Sequence, residues 1–368
     1  MHRSRIHIDQ LELNAPLPWN VFDEHGQLLL CMGFRITRES QRQVLAARGL
    51  YAESPVAPPS RTRPPSQAYR PFQVWRSILD ETEVLLEKIR LQEDFPAQLA
   101  SLSGLIQDMA RRSADTALAA LILSDQQRYP IAHSAHVAVL CELVAQRLGW
   151  LPERRRSLVC AALTQNLGMI DLQLKLCRQR IAPSATQREE IRRHPKLGHD
   201  MLTSAGVSDA VWLRAVLEHH EAPGGGGYPF GITTPSEEAL LIQTADTFSA
   251  KVSPRAARKP VTASEAARAM FLASTADQRN PVIAALIKEV GIYPPGSFVQ
   301  LENGEVALVL KRGKLAHAPD VVSLLSPAGS SYGAPLPRNT SRKEYAVTRM
   351  LAREQVKVEI DPERYWTK

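Results

Sequence analysis

His219, His220 and Glu221 stand together, and five residues later the chain reads Gly227-Tyr228-Pro229. Two adjacent imidazoles ahead of a glycine-rich turn are donors for a divalent transition metal. A centre of that kind neutralises phosphoryl oxygens and activates water. His133, His194 and Asp246 are further candidate ligands. Each is an ordinary residue alone, and only the order and spacing of the set is specific. Among them lies Gln165-Asn166-Leu167-Gly168-Met169, a stretch without a charged side chain.

Helices must position these groups. Val74, Ile78, Val84, Leu85 and Ile89 recur at helical spacing, and after Pro96 so do Leu99, Leu102, Leu105, Ile106 and Met109. A further helix is expected from about His133 to Leu148, with Val137, Leu140, Cys141 and Val144 on one face. His133 shares that interior face, because it lies four residues before Val137.

On either side the texture differs. Residues 1–52 read as a small α/β module. Ile6, Ile8, Leu11–Leu13 and Leu28–Leu30 suggest strands, and Thr37 opens a short helix to about Ala47. Residues 53–71 hold six prolines and read as an extended linker. The helical domain is expected over 72–290 and a β-rich extension over 291–368. In that extension Asn303-Gly304 sits between two alternating runs, a hairpin signal, and 321–325 adds a strand. A loop rich in Gly, Pro and Ser follows, then a helix near 342–353.

A chain of 368 residues, 44% hydrophobic and 23% charged, suits a globular protein of two or three domains. No segment reaches the ~18–20 apolar residues of a membrane span, and no secretory signal is expected at the N-terminus. Cys31, Cys141, Cys160 and Cys177 lack zinc-ligand spacing. The expectation is a cytoplasmic protein with reduced thiols. The net charge of +7 is dispersed, and no nucleic-acid motif is present.

Over residues 115–310 the chain resembles the HD-GYP family, a branch of the HD superfamily of metal-dependent phosphohydrolases. The resemblance is carried by 129–137, by 161–170, by His194-Pro195 with Gly198 and Leu202, by His219-His220-Glu221 with Gly227-Tyr228-Pro229, by 245–250 and by 292–296. It implies a mainly α fold, an HD-type helical bundle around a metal centre. It also implies a link to cyclic di-GMP, the second messenger that these enzymes hydrolyse. His133, His194, His219, His220 and Asp246 fall on ligand positions. Arg255 and Arg258 keep the spacing of phosphate-contacting basic residues, and Gly227 and Tyr228 fall in the signature loop.

The departures are damaging. Gln165 and Asn166 stand where the family has His and Asp, and Met169 stands on a phosphate-contacting lysine. A neutral amide is a poor bridge between two cations, and a thioether brings no charge to a phosphoryl oxygen. No intact catalytic set remains. His194, His219 and His220 could still hold one divalent metal (Fe, Mn or Zn). The expectation is a degenerate HD-GYP protein, sensing cyclic di-GMP or engaging other signalling proteins, with little or no hydrolysis. The alternatives are an active phosphodiesterase with a mononuclear site, and an adaptor independent of nucleotide.

Overall fold

The computed structural model describes residues 3–5, 11–17, 19–25, 27–47, 51–53, 69–89, 93–123, 128–253, 256, 260–273 and 280–367. They form two compact units, Met1–Gln67 and Ala68–Lys368.

The first unit is a four-stranded sheet of order β1-β4-β2-β3. Its strands are β1 (Arg3–Arg5), β2 (Val21–Phe22), β3 (Leu28–Leu30) and β4 (Tyr51–Glu53). The helix α1 (Glu39–Ala47) begins two residues beyond Thr37. Its small core is Leu11, Leu17, Val21 and Ile36. Two expected strands are not borne out as drawn. Ile6 and Ile8 lie outside the described residues, and Leu11–Leu13 is irregular, although Leu11 is fully buried.

The second unit is a bundle built around α5 (Tyr129–Arg147), buried on all sides from Tyr129 to Ala145. Pro130 sits in its first turn, where a missing N–H costs nothing. α2 (Pro71–Glu87), α3 (Phe95–Arg112), α4 (Ala114–Leu123) and α6 (Pro152–Thr164) pack against one another and against α5. Ile78, Leu85, Leu99, Leu102, Ile106 and Met109 face inward as their spacing requires, but Val84 and Leu105 are exposed. His136 on α5 is fully buried and lies parallel to Trp75, with ring centroids 5.7 Å apart. Neither of its nitrogens has a partner among the described residues, and burial, with His133 nearby, pushes its pKa down to about 3.

A 3-10 turn (Leu167–Met169) leads into α7 (Ile170–Arg178), and α8 (Ala185–Ser204), α9 (Ala210–Glu218) and α10 (Glu237–Val252) follow. The bundle closes with α11 (Ala263–Ala273) and α12 (Pro281–Val290).

A five-stranded antiparallel sheet of order β8-β7-β6-β5-β9 completes the unit. It shares the helices' core through Phe298, Leu308, Val322 and Leu351. β5 (Phe298–Leu301) and β6 (Val306–Lys311) form the hairpin, with Gly304 at φ +85° in its turn, and β7 (Asp320–Leu325) is the third strand. The expected loop of Gly, Pro and Ser is instead β8 (Ser331–Asn339). Pro335 and Pro337 are tolerated because β8 is an edge strand, where alternate N–H groups face away from the sheet. The expected helix near 342–353 is also overturned. Lys343–Tyr345 and Arg353–Gln355 make 3-10 turns, and between them β9 (Val347–Leu351) pairs with β5, whose outer edge would otherwise be open. The chain ends in α13 (Glu363–Trp366), where Trp366 Nε1 donates to the Leu310 carbonyl at 3.1 Å.

Candidate metal centre

His194 lies inside α8, a helix opened by a capping box between Ser184 and Gln187. The next residue, Pro195, has no N–H, so the carbonyl of Ile191 loses its helical donor. His194 Nδ1 takes its place and donates to that oxygen at 2.6 Å. A related arrangement holds His219 at the C-terminal cap of α9, where the last carbonyls of a helix lack internal partners. His219 Nδ1 donates to the Val216 carbonyl at 2.7 Å. Asp209 caps the other end of α9, and Trp212 Nε1 donates to Thr164 Oγ1 at 2.8 Å, fixing α9 to the end of α6.

These two bonds decide the tautomers. A carbonyl oxygen only accepts, so each Nδ1 carries the hydrogen and each Nε2 presents a lone pair. The two Nε2 atoms face each other at 3.1 Å in a buried site. Burial pushes His194 down to about 4 and His219 well below the usual imidazole range, so neither ring holds a second proton near neutrality. Two lone pairs converging at that distance repel unless a cation lies between them. Metal–imidazole bonds of ~2.0–2.1 Å are compatible with this separation. His220 completes the set, with one donor atom from each of the three rings within 4.8 Å of the others. Burial, with His194 beside it, pushes His220 down to about 3.

The loop after the histidines is held from within. The Glu221 carboxylate accepts from the N–H groups of Phe230 and Ile232 at 2.7 and 2.9 Å. Gln243 Nε2 donates to the Glu221 carbonyl at 3.0 Å. Gly227 has no room for a side chain, since a Cβ would lie 2.5 Å from both Ala222 N and the His220 carbonyl oxygen. The loop thereby brings Tyr228 onto His220, with centroids 4.6 Å apart and planes 24° apart. Burial raises the Tyr228 pKa, so its phenol stays neutral.

Of the five candidate ligands, the structure brings three together. The other two are paired with each other: His133 Nε2 lies 2.7 Å from Asp246 Oδ1, and Ser249 Oγ lies 3.2 Å from His133 Nδ1. The Asp246 charge still acts on His194 and His219. Gln165 and Asn166 are buried, and neither side-chain atom of the Gln165 amide has a partner among the described residues. The segment they occupy is tightly seated. A Cβ on Gly168 would collide with the His194 carbonyl and lie 2.8 Å from Gly198 N. Met169 lines a groove of about 910 Å³ with Arg128, Arg178, Arg193 and Leu197, and none of the three clustered histidines lines it. Arg255 and Arg258 lie outside the described residues.

Sequence reasoning missed what Glu221, Gln243 and Pro195 do. The first two carry no local signal. The third did, because a proline one residue after a histidine in a helical stretch frees a carbonyl three residues behind that histidine.

An HD domain model matches residues 117–279, the segment that contains all three histidines. The chain is 29% identical over 219 residues to the cyclic di-GMP phosphodiesterase PA4108 of Pseudomonas aeruginosa, covering 58% of this chain and 52% of that protein. It is 31% identical over 124 residues to the cyclic di-GMP phosphodiesterase response regulator RpfG of Xanthomonas campestris, covering 33% and 32% of the two chains. The chain thus spans about half and about a third of these relatives. Its fold resembles Bd1817, an HDG"Y"P protein from Bdellovibrio bacteriovorus, with a TM-score of 0.52 over 78% of this chain and 99% of that one, at 16% identity.

The chain carries an HD domain, in a fold like that of an HD-GYP protein.

In an HD domain the three-histidine cluster suits a divalent metal. The donors are neutral imidazoles, two of them, His194 and His219, with their tautomers already set, which is what such an ion takes. No described helix is long and apolar enough to cross a membrane.

Proposed function

We propose that this chain is an HD-GYP protein that binds cyclic di-GMP at the histidine centre and hydrolyses it slowly or not at all, acting as a sensor or interaction module in cyclic di-GMP signalling. The observation that carries the reading is the contrast between two halves of one site. The histidine half is intact, with His194 and His219 held in the donor tautomer. The other half offers the neutral amides of Gln165 and Asn166, and a thioether at Met169.

His194, His219 and His220 would hold one divalent metal, iron, manganese or zinc. Such an ion supplies a positive charge for a phosphodiester oxygen and lowers the pKa of water. The chain's own groups do the rest. Tyr228 offers a flat aromatic ring beside His220, and Gly227 keeps the loop close to the imidazoles. His133 is engaged with Asp246 rather than turned to the cluster. With Asn166 in place of a carboxylate, nothing bridges to a second cation, and catalytic units that lose several parts keep little of their rate. Arg255 and Arg258 are proposed phosphate contacts on spacing alone.

Isothermal titration of the full chain with cyclic di-GMP, with and without manganese, tests the reading. Binding without turnover is expected. No heat at 100 µM ligand would remove it and leave an adaptor. A second reading, a mononuclear phosphodiesterase, draws on the convergent Nε2 lone pairs, and steady turnover in the same samples would favour it.

A further inference from the structure

Met169 leaves the site without the cation that the family's lysine brings to a phosphate, and the fold offers a replacement from another element. Arg192 lies on α8, two residues before His194, and is exposed. Its guanidinium carbon sits 6.0 Å from the centroid of the Tyr228 ring, the same ring that stacks on His220. Three other cations are already engaged: Arg193 with Glu189 at 2.7 Å, Lys196 with Asp200 at 2.9 Å, and Arg128 with Asp80 and Glu83 at 2.8 and 2.6 Å. Among the described residues Arg192 has no hydrogen bond and no ion pair. All five of its N–H donors are therefore open, one aromatic ring away from the metal-binding imidazoles.

The geometry points to Arg192 as a phosphate-contacting cation of this site, a role we propose for it on the basis of the function given above. Tyr228 would steady it. A guanidinium is attracted to an aromatic face, and it keeps its edge free to meet two phosphoryl oxygens at once. The ligand class is a phosphodiester whose other oxygens approach the histidine centre. The arginine thus arrives from the helix that carries His194, not from the turn that carries Met169.

The test is titration of manganese-loaded full-length protein with cyclic di-GMP, comparing wild type, Arg192→Ala and Arg192→Lys, with metal content and melting temperature measured on each. Arg192→Ala should bind at least tenfold more weakly, about 1.4 kcal/mol, with unchanged metal and melting temperature. Arg192→Lys should recover part of the loss, because it restores the charge but not the fork. Equal binding by wild type and Arg192→Ala overturns the assignment while the sensor reading stands. Loss of metal or of stability in Arg192→Ala also overturns it, since the residue would then act on the frame. No binding by wild type removes the sensor reading and this assignment with it.

Discussion

The Nε2 atoms of His194 and His219 point at one another across 3.1 Å, and each ring is locked from behind by a backbone carbonyl. The lock matters as much as the distance. If either ring were free to present an N–H, the pair would satisfy itself with a hydrogen bond and have no need of an ion. With both Nδ1 atoms committed, the site is electrostatically unfinished.

One metal per chain is therefore expected from elemental analysis of protein purified without chelator. Replacing His219 and His220 together by Ala should bring that figure to background. Two or three metals in the wild type, or unchanged content in the double variant, would place the ions elsewhere.

Pro195→Ala gives a sharper test of the lock. An alanine N–H at 195 would compete for the Ile191 carbonyl and release His194 Nδ1. Metal affinity should fall by ~10–100-fold, the usual cost of losing a partner that orients a ligand. Helix content should hold or rise. Unchanged affinity in a metal titration would show that the proline does not set the tautomer.

How much of this was legible in the sequence depends on where each signal sits. The bundle and the β5–β6 hairpin were, because apolar spacing and Asn303-Gly304 are local. The helix expected near 342–353 was not, because β9 forms only to pair with β5 some fifty residues earlier. β8 was hidden by prolines that an edge strand accepts. At the centre, the grouping of His194, His219 and His220 follows from family order. That His133 turns to Asp246 is a matter of side-chain geometry across α5 and α10, and no spacing reports it.

Cyclic di-GMP turnover should stay below ~1 s⁻¹, the low end of ordinary enzymes, with iron or manganese supplied. The reasons are Asn166 and Met169, which provide neither a bridging carboxylate nor a phosphate-contacting cation. Chromatography of the reaction for linear dinucleotide and GMP decides it, and rates above that figure would support the mononuclear enzyme.

His136 should make the fold acid-sensitive in a defined window. Its pKa is about 3 in the folded protein and 6.5 in the unfolded chain. Above pH 6.5 both states are neutral and nothing is lost. Between 6.5 and about 3 only the unfolded state takes the proton, so stability falls as pH falls, by up to ~1.4 kcal/mol per pH unit. His136→Phe, which keeps a ring against Trp75, should flatten the stability-against-pH curve by about that slope. Parallel curves for the two proteins in denaturant melts would contradict this.

Gly168→Ala should destabilise the helical unit by ~1–3 kcal/mol, the usual cost of forcing atoms into filled space, because its Cβ meets the His194 carbonyl. It should also perturb metal binding, since His194 would have to move. A melting temperature equal to wild type, with normal metal content, would show that the turn can yield.

That same glycine separates the path of the backbone from the chemistry beside it. The 3-10 turn is seated on α8 by Gly168, while 165, 166 and 169 are its neighbours. Exchanging Gln165 for His, Asn166 for Asp and Met169 for Lys therefore changes the chemistry offered there and leaves the glycine seat in place.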